Sequence, residues 1–394
     1  MPDVVQLPSL TSAERTRLSE RAAGLLRTGG LILLPTETVY GLACSAADAN
    51  ALGKLAALSP KVKRTISPKG VSVNGFTWHA PDSELVVRAA AIAQPVHLRA
   101  LMKLAPGPVR IVVEKAHSGS IAGEIAGAFL TDGALSVRVP DHDFTREVLR
   151  LAGVPVAMDR APASVSSEGR RIDSTEPEND LRAMGVELCI DDGATRFGTI
   201  SSTLRLTSAG GYRVEAEGAL SAKAIDDAME LHVLFVCSGN TCRSPMAERI
   251  AIDALEHAPM TAQRVRIASA GTGAGEGEPA TPEGDEALRR LGVRFAGRHR
   301  SRLLTRDMIR AADFVYAMTR SHRDAVLSIE PDAAEKVLQL DEKSDIPDPI
   351  GSGLDAYVRT AERIRAGILK RFAEIHLLPE SSRSSLTRAA GEQP

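Results

Sequence analysis

The chain is 394 residues long, 43% of them hydrophobic and 25% charged. That length calls for two or three domains, and that composition excludes wholesale disorder. The formal net charge of −2 gives no electrostatic footprint for a polyanion, so direct nucleic-acid binding is not expected. Four cysteines, Cys44, Cys189, Cys237 and Cys242, are too few for a disulfide scaffold at this length, and they read as reduced thiols of a cytoplasmic protein. The apolar runs at 31–34 and 233–237 have strand length, short of the roughly 20 residues of a spanning helix. The opening MPDVVQLPSLTSAERTR lacks the pattern of a signal peptide, and no membrane partner is expected.

In chain order, a helix is predicted over 11–27, capped by Thr11 or Ser12 with Glu14 close behind and stopped at Gly29-Gly30. The strand-like run 31–34 ends at Pro35 and leads into the polar cluster Thr36-Glu37-Thr38. Short apolar segments at 109–113, 135–139 and 154–158, bounded by glycine or proline and separated by helical spacing, predict a mixed α/β domain over 1–225. Residues 159–181 read as a long polar loop, and 221–230 as a short helical connection.

From 231 onward the pattern changes. Strand-like runs at 233–237, 265–268, 314–318 and 337–340 alternate with helical patterns at 245–256, 282–291, 303–311 and 354–375. Such βα alternation predicts an α/β fold with a doubly wound parallel sheet, over 231–378. The polar stretch 379–394 reads as a disordered tail.

The segment 234–245, LFVCSGNTCRSP, carries the chemistry. An apolar strand ends at Cys237, a small turn-prone loop follows, and Pro245 stands where a helix is expected to begin. The amides of Ser238, Gly239, Asn240, Thr241 and Cys242, joined by the helix N-terminus, form an anion nest that needs no lysine. Arg243 adds a fork that matches phosphate oxygens. The same field favours a thiolate on Cys237, which can attack phosphorus and form a phosphocysteine. Ser244 is placed to donate to the Cys237 sulfur as it leaves, and Asn240 to hold the loop. A leaving group also needs a proton donor. Asp348, in the loop Asp345-Ile346-Pro347-Asp348-Pro349-Ile350-Gly351, is the candidate, with Asp345 the structural member of the pair. Cys242 lies close enough to Cys237 in sequence to form a reversible disulfide that protects the nucleophile, or else simply fills the loop.

From 231 to about 375 the chain resembles the low-molecular-weight protein tyrosine phosphatases. The cradle, Ser269-Ala270-Gly271-Thr272, Tyr316-Ala317-Met318-Thr319 and Asp348-Pro349 occur in that family's order. The resemblance implies Cys237 as nucleophile, Arg243 as phosphate and transition-state binder, and Asp348 as general acid and then base, with no metal and no cofactor. The implied partner is a phosphorylated protein. In tyrosine-directed members the place of Thr241 commonly holds a branched apolar residue, and aromatic residues follow the Asp-Pro pair. Here Thr241 brings a hydroxyl and Ile350-Gly351-Ser352-Gly353 no aromatic wall, features similar to the bacterial protein arginine phosphatases. Phosphoarginine and phosphotyrosine both remain open as substrates.

Residues 33–42, LLPTETVYGL, with Pro106-Gly107-Pro108, Ser136-Val137-Arg138-Val139-Pro140 and Ser201-Ser202-Thr203-Leu204, resemble the threonylcarbamoyl-AMP synthase (YrdC-like) family. That family makes an activated intermediate of a tRNA modification from threonine, bicarbonate and ATP. The resemblance implies ATP and threonine as small-molecule partners, with Thr36, Lys63, Lys69, Ser136 and Arg138 as binding candidates. The departures fall on working parts. Arg64 stands one place earlier than the family's arginine, Asp159-Arg160-Ala161-Pro162 replaces a Ser-Ala-Asn turn, and Arg110 occupies a threonine's place. Two expectations follow: a synthase with rewired contacts, or a fold that binds a ligand without turnover.

Overall fold

A computed structural model describes residues 3–58, 75–114, 127–162, 166–167, 171–172, 181–257, 264–294, 298–375 and 377–378. The chain divides into two compact units, Met1–Met229 and Glu230–Pro394. The tail 379–394 and the predicted binding residues Lys63 and Lys69 lie outside the described residues, as does most of the polar segment 159–181. No helix among the described residues is long and apolar enough to cross a membrane.

The first unit is built on a mixed sheet. Its strands run in the order Asp3–Gln6, Val186–Asp191, Leu31–Leu34, Gly41–Ser45, Val156–Arg160, Thr77–His79, Ala134–Arg138, Val109–Val113, Ser202–Leu206 and Tyr212–Ala216, with the short strand Leu130–Thr131 paired to Ala134–Arg138. The strand Leu31–Leu34 shows why four consecutive apolar residues are needed. Leu31 and Leu33 enter one core layer and Ile32 and Leu34 the other, because successive side chains on a strand point to opposite faces. The helix Ser12–Arg27 covers the second layer with Leu18, Ala22, Ala23 and Leu26. Thr11 caps it, accepting from the Glu14 amide while the Glu14 carboxylate accepts from Thr11 N–H at 2.8 Å. The stretch expected to connect the domains is the helix Ala222–Met229, whose Ile225 and Met229 are buried in the first unit's core. The first unit therefore closes at 229, not 225, because that helix has an apolar face to bury.

The second unit holds a four-stranded, wholly parallel sheet in the order Val265–Gly271, Leu231–Cys237, Phe314–Ala317, Val337–Gln339. The chain moves one strand to one side and then continues to the other, so a switch point falls beside the carboxyl end of Leu231–Cys237, where such sheets place their ligand sites. Val233, Phe235 and Cys237 face one core layer, Leu234 and Val236 the other. The long helix Leu354–Glu374 buries Tyr357, Ala361, Ile364, Ile368 and Phe372 along one stripe against the layer that contains Cys237. Each large apolar side chain so buried contributes about 1.5–3 kcal/mol.

Two local findings correct the sequence reading. The helix after the cradle runs Arg243–Glu256, so it begins two residues before Pro245. Proline is tolerated there because no first-turn N–H has an intrahelical acceptor to lose. A helix that the pattern did not predict, Arg320–Ile329, follows the third strand and is capped by Thr319 Oγ1 accepting from His322 N–H at 3.2 Å.

Candidate active site

Cys237 closes the central strand of the second unit, 2% exposed. The loop that follows returns to the helix at Arg243 with Asn240 in the left-handed region at φ +52°. Asn240 is fully buried and pins the loop from both ends of its amide. Its Nδ2 donates to Ser244 Oγ and Ser269 Oγ, each at 2.9 Å, and its Oδ1 accepts from Arg302 N–H at 3.0 Å. His299 Nε2 lies 2.6 Å from the Asn240 carbonyl. Ser269 in turn donates to Glu248. Gly271, paired with Cys237 across the strands, admits the loop: a Cβ there would stand 2.3 Å from Ser238 O and 2.8 Å from Asn240 N.

Ser244 Oγ lies 3.0 Å from Cys237 Sγ. Because that oxygen already accepts from Asn240, its proton is free for the sulfur or for the more distant Ala270 carbonyl at 3.4 Å. Among the described residues, no acceptor engages the backbone N–H groups of Ser238, Gly239, Asn240, Thr241 or Cys242. Five donors are thus left free in the loop that joins the sulfur to Arg243, an arrangement suited to an anion.

Arg243 is 5% exposed. It donates to the Ile346 carbonyl at 3.2 Å and to Asp348 Oδ2 at 2.5 Å, while its Nε is buried with no partner among the described residues. Asp348 is the more open member of the pair, its side chain 43% exposed. Asp345 is turned to structural use, accepting from Arg320 N–H and Gln339 Nε2 at 2.8 Å each. Cys242 Sγ faces Tyr357 Oη at 3.4 Å, and burial, followed by that contact, pushes the Tyr357 hydroxyl up to about 12.

The structure adds a residue that spacing did not flag. His322, on the unpredicted helix, places Nε2 2.8 Å from Ser238 Oγ and Nδ1 2.8 Å from Thr319 Oγ1. Burial and then the Arg243 guanidinium push its imidazole down to about 4, against the pull of Asp348 and Asp345.

A model of the low molecular weight phosphotyrosine protein phosphatases matches residues 232–377. Over 151 residues the chain is 34% identical to a protein-arginine-phosphatase of Geobacillus stearothermophilus, covering 37% of this chain and 96% of that one. Through its second unit, the chain belongs to this phosphatase family. The phosphatase unit is also 33% identical, over 138 residues, to a probable low molecular weight protein-tyrosine-phosphatase of Ralstonia nicotianae, covering 34% of this chain and 90% of that one. Identity alone therefore does not separate the two substrate classes.

The first unit is similar to a different set of proteins. A family model described as telomere recombination matches residues 24–216. A threonylcarbamoyl-AMP synthase of Pyrococcus abyssi is 32% identical over 191 residues, 47% of this chain and 50% of the synthase. The chain thus spans half the length of that relative. A cavity of about 260 Å³ in this unit is lined by Thr36, His79, Arg110, Arg138, Arg160 and Thr203, among others. Arg138 Nη2 reaches Glu37 Oε1 at 2.8 Å and Thr38 Oγ1 at 2.7 Å. Arg138 Nε and Glu37 Oε2 are buried without partners among the described residues. Arg110 reaches Thr203 Oγ1 at 3.1 Å. Burial, then Arg138, pushes the His79 imidazole down to about 3. Of the candidates named from the sequence, Thr36 and Arg138 both line this cavity. Ser136 instead borders a neighbouring cleft, its hydroxyl 3.1 Å from that of Thr77. The departures Arg110, Asp159 and Arg160 all line the cavity.

Proposed function

We propose that the phosphatase unit hydrolyses phosphoarginine in proteins through a phosphocysteine at Cys237. The observation that carries this reading is the set of five unengaged amides between Cys237 and Arg243, with the unpartnered Arg243 Nε beside them. In the first step the Cys237 thiolate attacks phosphorus, the P–N bond breaks, and the Asp348 carboxyl delivers a proton to the departing guanidino nitrogen. In the second, Asp348 takes a proton from water, water attacks phosphorus, and the S–P bond breaks. The thiolate leaves with the Ser244 hydroxyl donating to it. Arg243 and the loop amides hold the phosphoryl oxygens throughout, and no step draws on a metal or cofactor.

The rim supports this choice of substrate class. Thr241 is half-buried and Ser238 exposed, so two hydroxyls flank the entrance. Beyond Asp348 the side chain that stands out is Ile350, 64% exposed, where a phenol ring would ask for an aromatic wall. Steady-state hydrolysis of phosphoarginine and phosphotyrosine, side by side with a Cys237→Ser control, tests the proposal. The expected result is turnover of phosphoarginine that vanishes in the control. Turnover of phosphotyrosine with none of phosphoarginine overturns it.

The first unit supports a second, separate reading. Its cavity is lined by Arg110, Arg138 and Arg160 with one lining carboxylate, Asp159, while Arg138 is also paired with Glu37, and the remaining excess of one cation suits an anionic small molecule such as ATP or the carboxylate of threonine. With Arg110, Asp159 and Arg160 placed on that wall, we read it as a ligand-binding cavity without synthase turnover. Incubation with ATP, threonine and bicarbonate, assayed for pyrophosphate, decides. Robust release makes it an active L-threonylcarbamoyladenylate synthase instead.

A further inference from the structure

We propose that His322, acting through Ser238, is a positioning residue that selects a leaving group bearing N–H donors. This deepens the phosphoarginine reading and rests on it. Ser238 follows Cys237 directly and is exposed, whereas Cys237 is 2% exposed, and on this inference its hydroxyl lies beside the path by which a side chain delivers phosphorus to the sulfur. Of the loop side chains between Cys237 and Arg243, only Ser238 and Thr241 carry polar atoms without being buried.

The imidazole behind Ser238 is clamped at both nitrogens. Nε2 lies 2.8 Å from Ser238 Oγ, and Nδ1 lies 2.8 Å from Thr319 Oγ1. His322 is 6% exposed and its ring stands in the field of Arg243, conditions that keep it neutral at neutral pH. A neutral imidazole carries one N–H. Thr319 Oγ1 already accepts the His322 backbone N–H and lies 2.9 Å from Ser321 Oγ, which can take its proton. Both tautomers can satisfy these contacts, and we assign the one in which Nδ1–H donates to Thr319 and the Nε2 lone pair accepts from Ser238. The Ser238 proton is then directed inward, and its oxygen lone pairs are left for the entrance. A guanidino leaving group brings N–H donors that match those lone pairs. The ester oxygen of an aryl phosphate brings only acceptors and gains nothing from them. A site built to bond a particular donor discriminates strongly against an analogue lacking it.

The test uses the full chain and reads the ratio of kcat/KM for phosphoarginine to that for 4-nitrophenyl phosphate. Ser238→Ala and His322→Phe are each expected to lower that ratio tenfold or more. In His322→Gln, whose side-chain oxygen can accept from Ser238, the ratio is expected within threefold of wild type. A merely structural role would depress both substrates together, so a ratio unmoved by Ser238→Ala overturns the inference while leaving the phosphoarginine reading intact. Ser238 is exposed, so its variant decides the matter even where His322→Phe does not fold. A wild-type protein without phosphoarginine turnover overturns both readings.

Discussion

Asn240 tests whether the cradle is held by the bonds the structure assigns to it. In Asn240→Ala the Arg302 N–H loses its acceptor and two hydroxyls lose a donor. One unsatisfied buried group costs about 1–3 kcal/mol. Alanine adds about 1–2 kcal/mol for taking up the left-handed region that Asn240 occupies at φ +52°. The sum is about 2–5 kcal/mol for alanine, and about 1–2 kcal/mol less for Asn240→Gly, which adopts that backbone freely. For a unit of this size, about 2–4 °C is lost per kcal/mol. Scanning calorimetry is therefore expected to show the second unit melting about 10 °C lower in the alanine variant and about 5 °C lower in the glycine variant. The first unit's transition stays in place. Phosphatase kcat falls in both variants, because Ser244 loses the partner that orients its hydroxyl toward Cys237. An alanine variant that melts within 2 °C of wild type would refute the assignment. Equal melting of the two variants would refute the backbone share of it.

Three further outcomes follow from named contacts. Thr241→Ile is expected to move the preference from phosphoarginine toward aryl phosphate, by about tenfold in relative kcat/KM for one lost hydrogen bond; an unchanged preference argues against a rim contact. Mild peroxide is expected to yield a disulfide between Cys237 and Cys242, read by mass spectrometry, and Tyr357→Phe to speed its formation by freeing the Cys242 sulfur from the Tyr357 hydroxyl; no linkage in either protein disposes of it. His79 is held down at about 3 in the folded first unit, against about 6.5 when unfolded, so the unfolded chain binds the proton first and stability falls as pH drops below about 6.5. At pH 5 the loss is about 2 kcal/mol, so from pH 7 to 5 the first unit should lose about 4–8 °C more in wild type than in His79→Gln, and equal losses would sink the linkage.

What the sequence exposed and what it hid divide along physical lines. The run Leu31–Leu34 was legible because Gly29-Gly30 and Pro35 bracket it, and the helix Ser12–Arg27 because its capping box is local. The cradle was legible for the same reason: nucleophile, loop and arginine lie within seven residues of one another. His322 was not. Its helix reads RSHRDAVLSI, with too few apolar positions to show a face, and its meaning lies in a contact with Ser238, 84 residues away. The first unit's cavity draws Thr36, His79, Arg110, Arg138 and Thr203 from five separated segments, and no local spacing carries such a gathering. The misplaced helix start at Pro245 shows the reverse error, a local preference extended to a position that the first turn merely tolerates.

The ion pair between Arg243 and Asp348 links the resting geometry to the proposed reaction. Arg243 is nearly buried and spends one fork nitrogen on Asp348 at 2.5 Å, whereas Asp348 is open to water and has an alternative solvent shell. A phosphoryl dianion arriving on the loop amides competes for the same guanidinium with more charge and more acceptor oxygens, so the carboxylate is the partner that yields. In the reaction proposed above, Asp348, released from the guanidinium, is the carboxyl that delivers the proton to the leaving nitrogen. Once the phosphoryl group has left as inorganic phosphate, Arg243 recovers Asp348, and the contact that marks the resting enzyme is restored. In that proposed reaction the exchange of partners on Arg243 couples phosphate binding to the release of Asp348, whereas as a half-exposed salt bridge the pair adds little to stability.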